Sequence, residues 1–176
     1  GLVPILRPNE ISQDNSTDKD FIQHWLDFLI DSNNTLPDLI VQLRPTTPIR
    51  EAKNIEKGIE MMMSNNSATS LRCLSVPSNN PFKMWKFNSK DCFIKPLLSD
   101  NNFKEAYDLP RQILPTIYWQ NGYMDIIRVE NFLKTGSISG ENILGLLINE
   151  KVIDIDNLED FKEAERIIQE NNSKCN

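Results

Sequence analysis

Histidine occurs once in these 176 residues, glycine six times and cysteine three times. The lone His24 excludes histidine-rich metal centres and leaves any Ser-His-Asp triad a single candidate base. It sits in the amphipathic stretch "FIQHWLDFLI" and reads as an ordinary helix residue. Cys73, Cys92 and Cys175 are odd in number, far apart and without a CxxC pair, which excludes a disulfide framework and a structural zinc site and predicts reduced thiols. No run approaches the roughly 18 to 20 apolar residues that a membrane span needs, and the opening "GLVPILRPNE" lacks the features of a signal peptide. A cytoplasmic chain without a membrane partner is expected. A formal charge of -6 with no Lys/Arg cluster argues against nucleic acid as a partner, so an anionic ligand would have to be held by local arginines or a metal.

What is present is enough for one core: 39% hydrophobic content over a length typical of a single domain, 1–176. "VPILRP" reads as a short strand or strand end. Phe21, Ile22, Trp25, Leu26, Leu29 and Ile30 recur at helical spacing and predict a helix from Asp18 to Ser32, capped by Thr17 or Asp18. "DLIVQL" has the continuous apolar character of a parallel strand covered on both faces. Thr47 then stands as an N-cap and Pro48 as the first residue of a helix reaching Met63. "TSLRCLSV" is another strand, and the alternation so far predicts an α/β fold with parallel strands. From Pro77 to Gln120 prolines punctuate short aromatic segments, which reads as an inserted hairpin or arm that packs on another subunit. "NGYMDIIR" returns to strand pattern, "VENFLKTG" to a short helix and "GLLINEKVIDID" to one or two strands. A closing helix runs from Leu158 to Glu170, followed by a frayed tail, "ENNSKCN".

Two segments could carry chemistry at the carboxyl ends of strands, where open α/β sheets bind ligands. In "QLRPTTPIR", Arg44, Thr46, Thr47 and Arg50 occupy a strand-to-helix turn, which is either an anion site at a helix N-terminus or a capped helix beside a solvated arginine. In "IDID", a strand would point Asp154 and Asp156 to the same side, and two carboxylates so close need a neutralising cation such as magnesium. The alternative for Asp156 is a capping box with Glu159, whereas no capping role explains Asp154.

Taken in order, "VPILRPNEISQDNSTD", "IVQLRPTTPIR", "FKMW", "LPRQILPTIYWQNGYMDIIR" and "VIDIDNLEDFKEAERII" resemble the N-acylneuraminate cytidylyltransferase (CMP-sialic acid synthetase) family over nearly the whole chain. The resemblance implies a Rossmann-like nucleotidyltransferase three-layer α/β fold with an inserted dimerisation arm, about residues 77–120, and a homodimer. It also implies transfer of CMP from CTP to the anomeric hydroxyl of a nonulosonic, sialic-acid-like 2-keto-3-deoxy sugar acid, with release of pyrophosphate. Asp154 and Asp156 match the family's magnesium-binding pair. Lys83 and Arg111 match basic residues that the arm extends toward the neighbouring subunit's sugar site, where they would offset the sugar carboxylate. Arg7 and Ser16 fall in a segment lining the nucleotide side of the cleft, and Asn121 matches the residue that begins the returning strand.

The chain departs from the family in three places. Arg44 stands where sialic-acid enzymes have glutamine in "QPTSPLR", and Trp119 precedes Gln120 where they have arginine before "PNG". Both positions face the sugar in the family, which points to a nonulosonic acid such as legionaminic or pseudaminic acid. The family also opens with a strand and a glycine-rich phosphate loop, and this chain begins after that unit, so it is expected to bind CTP poorly on its own. Two further readings stay open: a noncatalytic dimeric sugar-binding or assembly module, and a nucleotidyltransferase acting on another keto-sugar such as 3-deoxy-manno-octulosonate.

Overall fold

The computed structural model describes residues 2–100 and 102–174. They form two compact units, one made of Gly1–Cys73 with Gly122–Asn176 and the other of Leu74–Asn121.

In the first unit α1 spans Asp18–Asp31. It begins where the Thr17 backbone N–H and hydroxyl both donate to Asp20, bonds that hold this carboxylate below its ordinary pKa. Its apolar stripe buries Ile22 and Leu26. β1 (Leu39–Gln42), β2 (Ser70–Ser75), β5 (Trp119–Arg128) and β6 (Ile143–Leu147) make a sheet in the order β1-β5-β2-β6. α2 spans Ala52–Ser64, α3 Val129–Thr135 and α4 Leu158–Lys174.

The sheet residues divide between two cores. Met124, Ile126, Leu71 and Leu146 join Met62 of α2 in one, while Ile127 and Ile40 join Ile22 and Leu26 of α1 and Phe132 of α3 in the other. Ile126 and Ile127 are neighbours on one strand, so the two clusters lie on opposite faces of the sheet. Burial of each such side chain is worth about 1.5–3 kcal/mol. α2 comes close to the sheet at Gly58, where an added Cβ would lie 2.5 Å from the Met124 terminal methyl and 3.1 Å from Ile126 Cδ1.

The α/β class is as expected, but the all-parallel sheet is corrected. β1 runs antiparallel to β5, with Leu39 opposite Arg128 and Gln42 opposite Asp125. A continuous apolar run signals two covered faces and carries no information about direction, which is why "DLIVQL" misled. The expected strand at "VPILRP" is absent: residues 2–8 have no regular structure, and Leu2, Val3 and Leu6 are exposed. "GLLINEKVIDID", expected to give one or two strands, gives one, β6; residues 151–155 join no ladder, so the expectation that a strand carries Asp154 and Asp156 is corrected. At the other end α4 continues through Lys174 where a frayed tail was expected from Glu170; Cys175 and Asn176 lie outside the described residues.

The second unit carries β3 (Trp85–Phe87) and β4 (Ile94–Pro96), paired antiparallel with Trp85 opposite Pro96 and Phe87 opposite Ile94. Phe82, Ala106 and Leu114 form its small core, and Trp85 stacks at a tilt on Tyr107, their ring centres 4.6 Å apart. Two strands alone are marginal in water, and this hairpin leaves Phe87, Phe93 and Ile94 exposed.

Candidate functional site

The turn after β1 and the segment before α4 meet through two bonds. The Ile155 N–H donates to the Thr46 carbonyl at 2.8 Å, and the Thr47 hydroxyl donates to Asp154 Oδ1 at 3.3 Å. Gly122, near the start of β5, closes the third side: a Cβ on it would lie 3.5 Å from Asp154 Oδ2 and 3.6 Å from Thr47 Oγ1, and its φ of +68° suits glycine. Thr47, Gly122 and Asp154 thus share one small volume, with Thr47 fully buried and Asp154 half-buried.

Thr47 therefore does not cap α2. The helix starts five residues later, with extended Glu51 at its N-cap position. Arg50 accounts for the delay: its Nε donates to the Tyr123 carbonyl at 2.6 Å and a terminal nitrogen to the Arg44 carbonyl at 2.7 Å, while the Glu51 N–H donates to the Tyr123 hydroxyl at 2.6 Å. These bonds hold residues 48–51 out of the helix, so the expected anion site with Thr47 at a helix N-terminus is not formed. Burial lowers the pKa of the Arg50 guanidinium and the like charge of Arg44 adds to this, while Tyr123 and Asp154 oppose it. Arg50 is a cation that senses Asp154.

Asp156 is not a helix cap either. Asn157 Oδ1 accepts from the N–H groups of Glu159 and Asp160, and Asp160 reaches back to accept from the N–H groups of Asp156 and Asn157. The capping box is therefore shifted by one residue, to Asn157 and Asp160. The Asp156 carboxylate is exposed and takes no part in that box. The pair offers only hard oxygen donors, to which the Thr47 hydroxyl could add. Among the described residues no group of three or more His, Cys, Asp or Glu side chains gathers as a metal site.

Arg44 is committed elsewhere. It pairs with Asp18 and, at 2.8 Å, with Asp125, whose other oxygen takes Arg72 at 3.0 Å. Burial works against the Arg44 charge, but Asp125 and Asp18 together outweigh it and raise its pKa above the ordinary value. Asp125 is fully buried in the middle of β5 and was not singled out, although an acid interrupting "YMDIIR" is the same signal that marked Asp154. Nearby Cys73 is a free thiol whose pKa burial pushes up to about 12.

The remaining expected residues have the following surroundings, each within its own unit. Ser16 accepts from the Gln13 N–H within its own loop, and exposed Arg7 stands over the Phe21 ring. In the second unit Lys83 donates to the Tyr107 carbonyl at 3.0 Å, Arg111 is exposed, and buried Asn121 donates to the Ser75 hydroxyl at 2.7 Å. His24 lies on α1 with Nε2 3.3 Å from the Leu6 carbonyl. Among the described residues no helix is long and apolar enough to cross a membrane. No protein-family model and no curated protein matches the chain.

Proposed function

We propose that this chain forms the sugar-acid-facing and dimer-forming part of a cytidylyltransferase with a Rossmann-like core. It would take part in transfer of CMP from CTP to the anomeric hydroxyl of a nonulosonic acid. In that reaction the anomeric hydroxyl gives up its proton to water, a bond forms between the sugar oxygen and the α-phosphorus, the α–β phosphoanhydride breaks, and pyrophosphate leaves with the electron pair. The observation that supports this best is the carboxylate pair: Asp154 beside Thr47 and Gly122, and Asp156 left outside the helix cap by Asn157.

An all-oxygen set of two carboxylates and a hydroxyl suits magnesium, which needs only one or two carboxylates when substrate phosphates and water fill the rest. When bound, the ion would offset the triphosphate charge. Thr47 holds one Asp154 oxygen by its hydroxyl hydrogen bond, and Arg50 adds fixed positive charge. Lys83 and Arg111 are assigned to the sugar carboxylate, and Arg111 can bind it bidentately.

The test is pyrophosphate release from CTP and magnesium with N-acetylneuraminic, legionaminic, pseudaminic and 3-deoxy-manno-octulosonic acids, alongside direct sugar binding. Saturable, magnesium-dependent release with one of the first three is expected from a chain extended upstream by the glycine-rich unit, and direct sugar binding from this chain alone. Sugar binding without release would favour the noncatalytic module, and neither would overturn the reading.

The homodimer is assigned to the β3–β4 hairpin, whose exposed Phe87 and Phe93 would lie against the second copy. Replacing both by aspartate should weaken the dimer by roughly 2–4 kcal/mol, the scale of an aromatic anchor, and give a monomer by sedimentation. A dimer of unchanged affinity would remove the hairpin from the interface.

A further inference from the structure

Arg50 stands beside a carboxylate assigned to a metal ion, where its own charge would work against a bound cation. Its bonds give it a different task. A terminal nitrogen donates to the Arg44 carbonyl at 2.7 Å, and the same carbonyl accepts from the Thr47 N–H at 3.2 Å. Nε donates at 2.6 Å to the carbonyl of Tyr123, the residue after Gly122. One guanidinium therefore pins the two stretches of backbone that meet Asp154. The first carries Thr47, whose hydroxyl bonds Oδ1, and the second carries Gly122, whose Cα side faces Oδ2.

The guanidinium is itself held in place. Its central carbon lies 6.0 Å from the Tyr123 ring centre. At the far end of that ring the Tyr123 hydroxyl accepts from the Glu51 N–H at 2.6 Å and from the Asn54 amide at 3.3 Å, and Tyr123 is buried. A rigid planar fork with two fixed acceptors loses its geometry when any other side chain replaces it. Groups that orient metal ligands from behind in this way typically change metal affinity by about tenfold to a hundredfold when removed.

We infer that Arg50 is a positioning residue for the Asp154 site. Through the Arg44 and Tyr123 carbonyls it keeps Thr47 and Gly122 at the spacing in which Asp154 presents its carboxylate to a divalent cation. This role rests on the reading of Asp154 and Asp156 as a magnesium pair, and it lies in the placing of backbone, not in the charge of the guanidinium.

The probe is manganese, which suits the same oxygen donors as magnesium and broadens the signals of nearby amides, added to the isotope-labelled full chain without substrate. Millimolar manganese should broaden the amides of Thr47, Gly122 and residues 154–156. Arg50→Lys keeps the charge but loses the fork, and Arg50→Gln keeps a donor but loses the charge. Both should raise the manganese concentration for half-maximal broadening about tenfold or more, with the amide shifts of α1 unchanged. If charge alone mattered, Arg50→Lys would match the wild type and Arg50→Gln would bind more tightly, and either result overturns the proposal. Leu26→Val, which loosens the core under α1, should bind manganese as the wild type does. A loss equal to that of Arg50→Gln would make the effect one of general stability and overturn the proposal as well. No broadening in the wild-type chain overturns the magnesium reading and this role with it, whereas wild-type broadening shared unchanged by both Arg50 variants overturns this role alone.

Discussion

Asp125→Asn should lower the free energy of unfolding by about 3–5 kcal/mol, the cost of removing one partner from a buried ion pair. The carboxylate is fully buried on β5 and answers two guanidiniums, Arg44 from the turn after β1 and Arg72 from β2, so it ties three chain segments together. Asparagine keeps the shape but leaves two positive charges facing each other in a half-dry space. Arg72→Met should cost more than Arg44→Met, because the Arg72 side chain is 13% exposed against 29% for Arg44. Urea unfolding followed by far-ultraviolet circular dichroism measures all three. A loss for Asp125→Asn below about 1 kcal/mol, the value of an exposed pair, would show that water already screens the cluster.

Asp154→Asn should leave the fold within about 0.5 kcal/mol, since asparagine can still accept the Thr47 hydroxyl. In a chain extended upstream by the glycine-rich unit, the magnesium-dependent turnover proposed above should fall about a thousandfold, the upper end for deleting one electrostatic group that acts on the transition state. Asp156→Asn should have the smaller effect, because Asp156 is exposed and lacks the Thr47 hydroxyl bond that orients Asp154. Steady-state kinetics over a magnesium titration separates the outcomes: a metal ligand lost should raise the magnesium requirement as well as lower the maximal rate. Normal turnover with reduced stability would make Asp154 a structural residue.

The sequence was readable where one segment settles its own structure. The α1 stripe, Ile22 and Leu26 above all, repeats at helical spacing, and the helix lies within a residue of its expected bounds. Thr47 was misread because the pattern Thr-Thr-Pro is a local capping signal, whereas its actual partner, Asp154, is 107 residues away. The α4 cap was misplaced for a different reason. Asp156 with Glu159 and Asn157 with Asp160 are two acid-bearing pairs at the same spacing, and local chemistry does not choose between them. "VPILRP" shows the reverse failure: an apolar run is a strand only if a neighbour pairs with it, and residues 2–8 pair with none in this sheet. Of the candidate site, Thr47 and Asp154 were named and are in contact, while Gly122 stood only as the second residue of the strand segment "NGYMDIIR". Its close approach to both depends on where β5 lies, which no local pattern reveals.

The bond from the Ile155 N–H to the Thr46 carbonyl lies between the two aspartates and far from either in side-chain chemistry. It makes the exchange rate of a single amide proton a gauge of whether the two halves of the cluster are clasped or parted. Opening without closing by a ligand would read as fast exchange at Ile155 alone, with the amides of β5 unmoved. Anything that bridges Asp154 to the turn after β1 should slow that one proton in proportion to its own occupancy.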